Sequence, residues 1–111
     1  MSSTSFDRSL GGINADVAAA GDDQATATVL TAGKNVVTSA TGDTADGVSL
    51  PVGFGVGETV FVANNTAVAL DVFPESGGAI GGGSADAAVA LPANSMAIYM
   101  SLGDGNWSVT V

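Results

Sequence analysis

The sequence predicts an all-β fold: a compact antiparallel β-sandwich or barrel of about eight short strands, with an extended N-terminal arm. Three observations carry this. Alternating apolar and polar residues recur from Ala25 to Val111. Turn-forming Gly, Pro, Asn and Asp interrupt them at intervals of ~8–12 residues, the spacing of small sandwiches and barrels. No window sustains a helical period. At 111 residues the chain has room for one core.

The chain divides near residue 24. Residues 1–24 place Phe6, Leu10, Ile13 and Val17 at spacings that share a helical face, but Gly11 and Gly12 interrupt that face. This segment is read as an arm, extended or ordered by a partner. A short helical turn over 14–20, ended by Gly21, is its alternative. Residues 25–111 form the β domain. Ala25–Thr31 alternates around Val29, and Asn35–Ala40 carries the β-branched run Val36-Val37-Thr38. Val48-Ser49-Leu50 is stopped by Pro51. Glu58–Asn64 sets Val60 and Val62 opposite Phe61. Asn64-Asn65-Thr66 then reads as a hairpin turn into Ala67–Phe73, where Val68, Leu70 and Val72 share a face. After a glycine-rich connection, Ala85–Leu91 is a weak strand closed by Pro92. Ser95–Leu102 aligns Met96, Ile98 and Met100 opposite Tyr99. Gly103-Asp104-Gly105-Asn106 turns the chain into a last strand with Trp107, Val109 and Val111 on one face.

Composition bounds the chemistry. Hydrophobic residues make up 46% but aromatics only 5%, the balance being largely Ala and Val. A core rich in Ala buries little area, so subunit contacts are expected to supply much of the stability. The chain has no His and no Cys, which removes Ser-His-Asp and Cys-His nucleophile systems, disulfides and the commonest metal ligands. Two basic residues against eleven acidic ones give a net charge of -9. Such a chain is repelled by nucleic-acid phosphates and by anionic membrane surfaces, and is steered toward basic ones. The first residues, Met1 to Phe6, lack the basic and apolar regions of a secretory signal. No apolar run approaches the ~18 residues that span a bilayer.

Several motifs invite a chemical reading, and each has a plainer one. Gly77–Gly83 is glycine-rich but lacks the Lys-Ser/Thr of a phosphate-binding loop, and a flexible or bulged connection explains it. Asp43 with Asp46, and Asp104 with Asn106, have Ca²⁺-compatible oxygens, but their spacing is not that of an EF-hand and tight turns favour the same residues. The carboxylates sit at turns or solvated strand positions, so no glycosidase pair is assigned. No enzymatic activity, cofactor or metal is expected. Tyr99 and Trp107, on adjacent strands, are candidates for an aromatic anchor in the core or at a subunit interface, or for a sugar-stacking platform. Asp22 and Asp23, with Phe6, Leu10 and Ile13, make the arm a candidate docking element for a basic partner.

One succession of residues adds to this reading. Gly47-Val48-Ser49-Leu50-Pro51 is followed by Gly57, Val60, Val62, Asn64, Leu70 and Val72-Phe73-Pro74. Gly77 or Gly78, Ile80, Leu91-Pro92-Ala93, Tyr99, Gly103 and Trp107 complete it. The pattern, over roughly residues 30–111, resembles small β-rich virion proteins of tailed bacteriophages, namely capsid decoration (cement) proteins and domains of head or tail fibres. The resemblance implies a jelly-roll-like or tulip-like domain, usually a homotrimer, seated on the outer capsid surface and bridging subunits of the major capsid protein. Phe6, Leu10, Ile13, Asp22 and Asp23 would then contact the shell. A receptor- or glycan-binding fibre domain, with Tyr99, Trp107 and the loops at 43–47 and 104–106 at its site, is the alternative.

Overall fold

A computed structural model describes residues 12–110. Among these residues the chain is all-β, without helices, and runs through nine strands: β1 (Ile13–Ala18), β2 (Thr28–Val29), β3 (Lys34–Ser39), β4 (Gly47–Ser49), β5 (Thr59–Asn64), β6 (Leu70–Phe73), β7 (Val89–Leu91), β8 (Ser95–Gly103) and β9 (Asn106–Thr110). They form two sheets, a five-stranded one in the order β1-β3-β5-β8-β9 and a four-stranded one in the order β2-β4-β6-β7.

Through β6 the chain alternates between the sheets, odd strands in one and even strands in the other. Each returns parallel to its predecessor in the same sheet. Ile13, Lys34 and Phe61 therefore stand side by side, as do Thr28, Val48 and Val72. The last three strands reverse the sense: β7 pairs antiparallel with β6, β8 with β5 and β9 with β8. The expected antiparallel jelly-roll-like sandwich or barrel is thus corrected to two mixed sheets that do not close into a barrel. The Asn-Asn hairpin is corrected too. Asn64-Asn65-Thr66 is a turn, but it carries the chain out of the five-stranded sheet into the other, so β5 and β6 are not paired.

The winding has a local cause at that turn. The Asn64 side chain is fully buried. Its Oδ1 accepts from the Thr66 backbone N–H at 3.0 Å and from the Thr66 hydroxyl at 2.7 Å. Its amide nitrogen lies 2.8 Å from the Val68 carbonyl and 3.1 Å from those of Leu91 and Pro92. One side chain thereby ties the β5–β6 crossing to the β7–β8 connection. The turn read from the sequence at Gly103-Asp104-Gly105-Asn106 joins β8 to β9 as a hairpin with a two-residue loop. Asp104 (φ 56°) and Gly105 (φ 80°) both occupy the left-handed region, as a type I′ turn demands.

The core lies between the sheets. Val60, Val62, Tyr99 and Trp107 project into it from the five-stranded sheet, and Val48, Leu70, Val72 and Leu91 from the other. Only Ala19, Ala27, Ala32 and Ala97 represent alanine among the buried apolar residues, so the core is a Val/Leu core with aromatic filling, not the thin alanine core expected from composition. Phe54 packs a tilted ring 6.4 Å from that of Trp107.

The described part of the segment assigned to an arm, residues 12–24, belongs to this body. β1 is an edge strand of the five-stranded sheet, and Val17 and Ala19 are buried in the core. The boundary drawn at residue 24 therefore falls inside the fold. The apolar spacing that suggested one helical face is resolved differently, since Ile13 and Val17 sit on a strand with Ile13 outward and Val17 inward.

Candidate functional site

The glycine-rich connection is built into the fold. The Ala79 carbonyl accepts the Trp107 N–H at 2.9 Å, and Gly81 N–H donates to the Trp107 carbonyl at 2.7 Å. Residues 79–81 thus lie along β9, and Ile80 is buried. Gly78 is required by contact, because a Cβ there would stand 1.8 Å from the Gly105 carbonyl oxygen. The flexible loop expected here is a packed strap that covers the β9 side of the sheet.

Tyr99 and Trp107 are each 1% exposed. Both rings are closed to a sugar and to another subunit, so they anchor the core, and neither the stacking platform nor the subunit-interface reading holds. Burial pushes the Tyr99 phenol well above its ordinary range. Asp104 and Asn106 serve the hairpin: Asp104 takes the left-handed position, and Asn106 Oδ1 accepts from the Ala79 N–H.

Of the arm residues, Phe6 and Leu10 lie outside the described residues. Ile13 opens β1 and is 62% exposed. Asp23 is structural. Its carboxylate accepts from the backbone N–H of Thr26 at 2.9 Å and from the Thr26 hydroxyl at 2.6 Å, closing a turn, and these bonds hold its carboxyl below the usual range. Asp22 is exposed beside it, and the chain next to it bridges to Ala45 through Gly21. This brings Asp22 into the electrostatic neighbourhood of Asp43, Asp46 and Asp71. The Asp46 carboxyl is raised, first by desolvation and then by repulsion from Asp71, Asp43 and Asp22, and its Oδ1 is buried without a hydrogen-bond partner. The result is an acidic end built from three separate segments; the sequence pointed to Asp22 and to Asp43 with Asp46 separately, but not to their meeting with Asp71. Among the described residues no group of three or more acidic side chains is placed to hold a metal ion.

A second surface has the opposite chemistry. On the outward side of the five-stranded sheet, Ile13, Lys34, Phe61 and Ile98 form one row across the strands, and Val36, Ala63 and Met96 another. Met100 continues the patch along β8. Met96 is 52% and Met100 40% exposed. A groove of about 240 Å³ runs between Ile13, Lys34, Asn35, Val36, Phe61, Ala63 and Met96. The Lys34 ammonium stands 5.9 Å from the centre of the Phe61 ring, a cation–π arrangement. The sequence did announce that Met96, Ile98 and Met100 share a face opposite Tyr99, and the structure turns that face outward. It did not announce that Ile13 and Val36 would join them, because those pairings are parallel and distant in sequence.

Comparison with family models, with curated proteins and with solved structures finds no match for the chain.

Proposed function

We propose that this chain is a structural protein of a tailed-bacteriophage virion: a capsid decoration (cement) protein that sits on the outer surface of the shell as an oligomer and bridges subunits of the major capsid protein. One observation carries the reading. A chain of net charge -9 turns a sheet face of Ile13, Val36, Phe61, Met96 and Met100 outward, where water is a poor neighbour for it. Such a face favours association. The resemblance of residues 30–111 to decoration proteins supplies the kind of assembly, a trimer on a shell in those proteins. Its marker residues Leu50, Val60, Asn64, Leu70, Leu91, Tyr99 and Trp107 are buried, as befits a signature of fold.

The mechanism is one of linkage. An oligomer that touches several capsid subunits sums weak contacts into firm attachment. Because it binds the assembled shell and not free subunits, each bridge stabilises assembly against the outward pressure of packaged DNA. The acidic end, with Asp22, Asp43 and Asp71, suits a basic docking surface on the shell.

The test is addition of purified protein to empty expanded capsids. Saturable binding at hundreds of copies per shell, with a rise in the temperature at which shells rupture, is expected. Deletion of residues 1–11, which leaves β1 intact, measures the share of Phe6 and Leu10. Absence of binding to any tailed-phage shell, or binding without a gain in heat resistance, refutes the proposal.

A further inference from the structure

We infer that the outward face of the five-stranded sheet is the surface on which a second copy of this chain docks. The inference deepens the decoration reading and rests on it for the purpose of self-association, not for the evidence.

The first argument is charge. The chain is strongly acidic, so two copies repel over most of their surfaces. This face is the exception. Among the described residues its strands present Ile13, Val36, Phe61, Met96 and Met100 with Lys34, and Asp16 on β1 is the one carboxylate they carry. A basic shell finds its complement at the acidic end and little here. A nearly carboxylate-free apolar face suits another copy of itself.

The second argument is pattern. Asp16 accepts a hydrogen bond from the hydroxyl of Thr38, which places its carboxylate at the far end of β3 from Lys34. Four residues of strand separate the two ends, or about 13 Å at the usual rise. The face is therefore polar along its length, with a cation at one end and an anion at the other. A copy reversed about a two-fold axis sets Lys34 of each against Asp16 of the other, with Val36 between them. Self-complementarity under reversal is the condition for an isologous contact.

The third argument is size. With strands about 4.8 Å apart and side chains repeating every second residue, the apolar patch covers roughly 300–400 Å². A stable interface buries about 800 Å² per partner around an apolar centre with a polar rim. The patch is of the right size for such a centre, and the 45 × 29 Å extent of the molecule leaves space for the rim.

The experiment is sedimentation of the full chain without any shell, from micromolar to hundred-micromolar concentration. The expected mass is that of a dimer, twice 10.7 kDa, since a two-fold contact pairs copies and does not build the trimer usual in the decoration proteins that the sequence resembles. Val36→Glu and Met96→Glu, both on the outward side, each weaken association by about tenfold or more, the penalty for placing a charge in an interface centre. Val29→Glu, 54% exposed on the other sheet, leaves the mass unchanged. Buried Trp107 reports by its fluorescence that all three variants are folded. Raised salt strengthens association, since it screens the net repulsion. A monomeric wild type throughout, face variants with wild-type mass, or equal dissociation by Val29→Glu overturns the inference. So does a monomer whose face variants lose only shell binding, which would give the face to the capsid. Self-association by a chain that ignores every shell keeps the inference and removes the decoration reading instead.

Discussion

Asn64→Ala is expected to unfold the chain more readily than any surface change. The amide of Asn64 has two hydrogens to share among the carbonyls of Val68, Leu91 and Pro92, and its Oδ1 accepts two bonds from Thr66. Four hydrogen bonds are therefore at stake. At about 1 kcal/mol net each they amount to about 4 kcal/mol. In the variant the single Thr66 hydroxyl proton turns to the Val68 carbonyl, 3.0 Å away, which returns part of this and leaves about 3 kcal/mol. Against a typical total of 5–15 kcal/mol, roughly, for a small domain, that is a large fraction. Urea unfolding followed by the single Trp, which is buried, reads it directly. With a slope near ~1.5 kcal/mol per molar urea, the midpoint falls by about 2 M. Asn64→Asp keeps the bonds from Thr66 but aims a carboxylate oxygen at three carbonyls, so it costs at least as much. A loss below about 1 kcal/mol in Asn64→Ala would show that the crossing from one sheet to the other does not depend on this side chain.

Three further outcomes follow from the same structure. Tyr99 is the single Tyr, and its folded-state pKa lies above the unfolded value near 10, so its contribution to stability is complete below that pH and is lost as pH rises beyond it; phenolate absorbance should appear only together with unfolding, and ionisation of the folded chain near pH 10 would contradict the burial. Asp46→Asn is expected to stabilise the fold at neutral pH, because the raised folded-state pKa means that ionisation opposes folding there; the gain should fade as pH falls below the ordinary carboxylate range, and thermal melts of both proteins across pH test this. Gly78→Ala places a Cβ against the Gly105 carbonyl, so it should lower the melting temperature by several degrees and loosen the strap over β9, seen as faster exchange of the Trp107 amide; an unchanged melt would mean that the two backbones separate at little cost.

Much of the local structure could be read from the residues. Eight of the strands follow from alternation and turn signals, and the facing of Val60, Val62, Phe61, Tyr99 and Met96 is as the pattern implies. The Asp-Gly turn between β8 and β9 is local chemistry and was legible for that reason. What alternation cannot encode is which strand a strand will pair with. Parallel partners such as Ile13, Lys34 and Phe61 are joined by long excursions through the other sheet, so no turn residue marks them. β1 was missed on the same ground. Its six residues, Ile13–Ala18, offer one buried side chain, Val17, and look like an arm until β3 lies beside them. The acidic end was hidden likewise, since Asp22, Asp43 and Asp71 meet only through the winding.

The winding also bears on how the chain can associate. A coil whose first strand has no outer neighbour among the described residues offers an edge to which other strands could add. β1 is poorly suited to accept them. Its register shifts between Asn14 and Val17, a bulge that interrupts even pairing, and the Asp16 N–H is taken by the side chain of Asn14. Asp16 adds a charge at the same place. Such features discourage indiscriminate addition at an edge. The opposite flank is covered by residues 79–81 along β9. With one edge interrupted and the other covered, the broad side of the five-stranded sheet is the larger unguarded surface. Association through side chains on that side can select a partner by shape and charge, whereas backbone addition at an edge accepts any extended segment. In the decoration role we propose, where the chain finds its own copies and then a particular shell, contacts directed to faces in this way serve both steps.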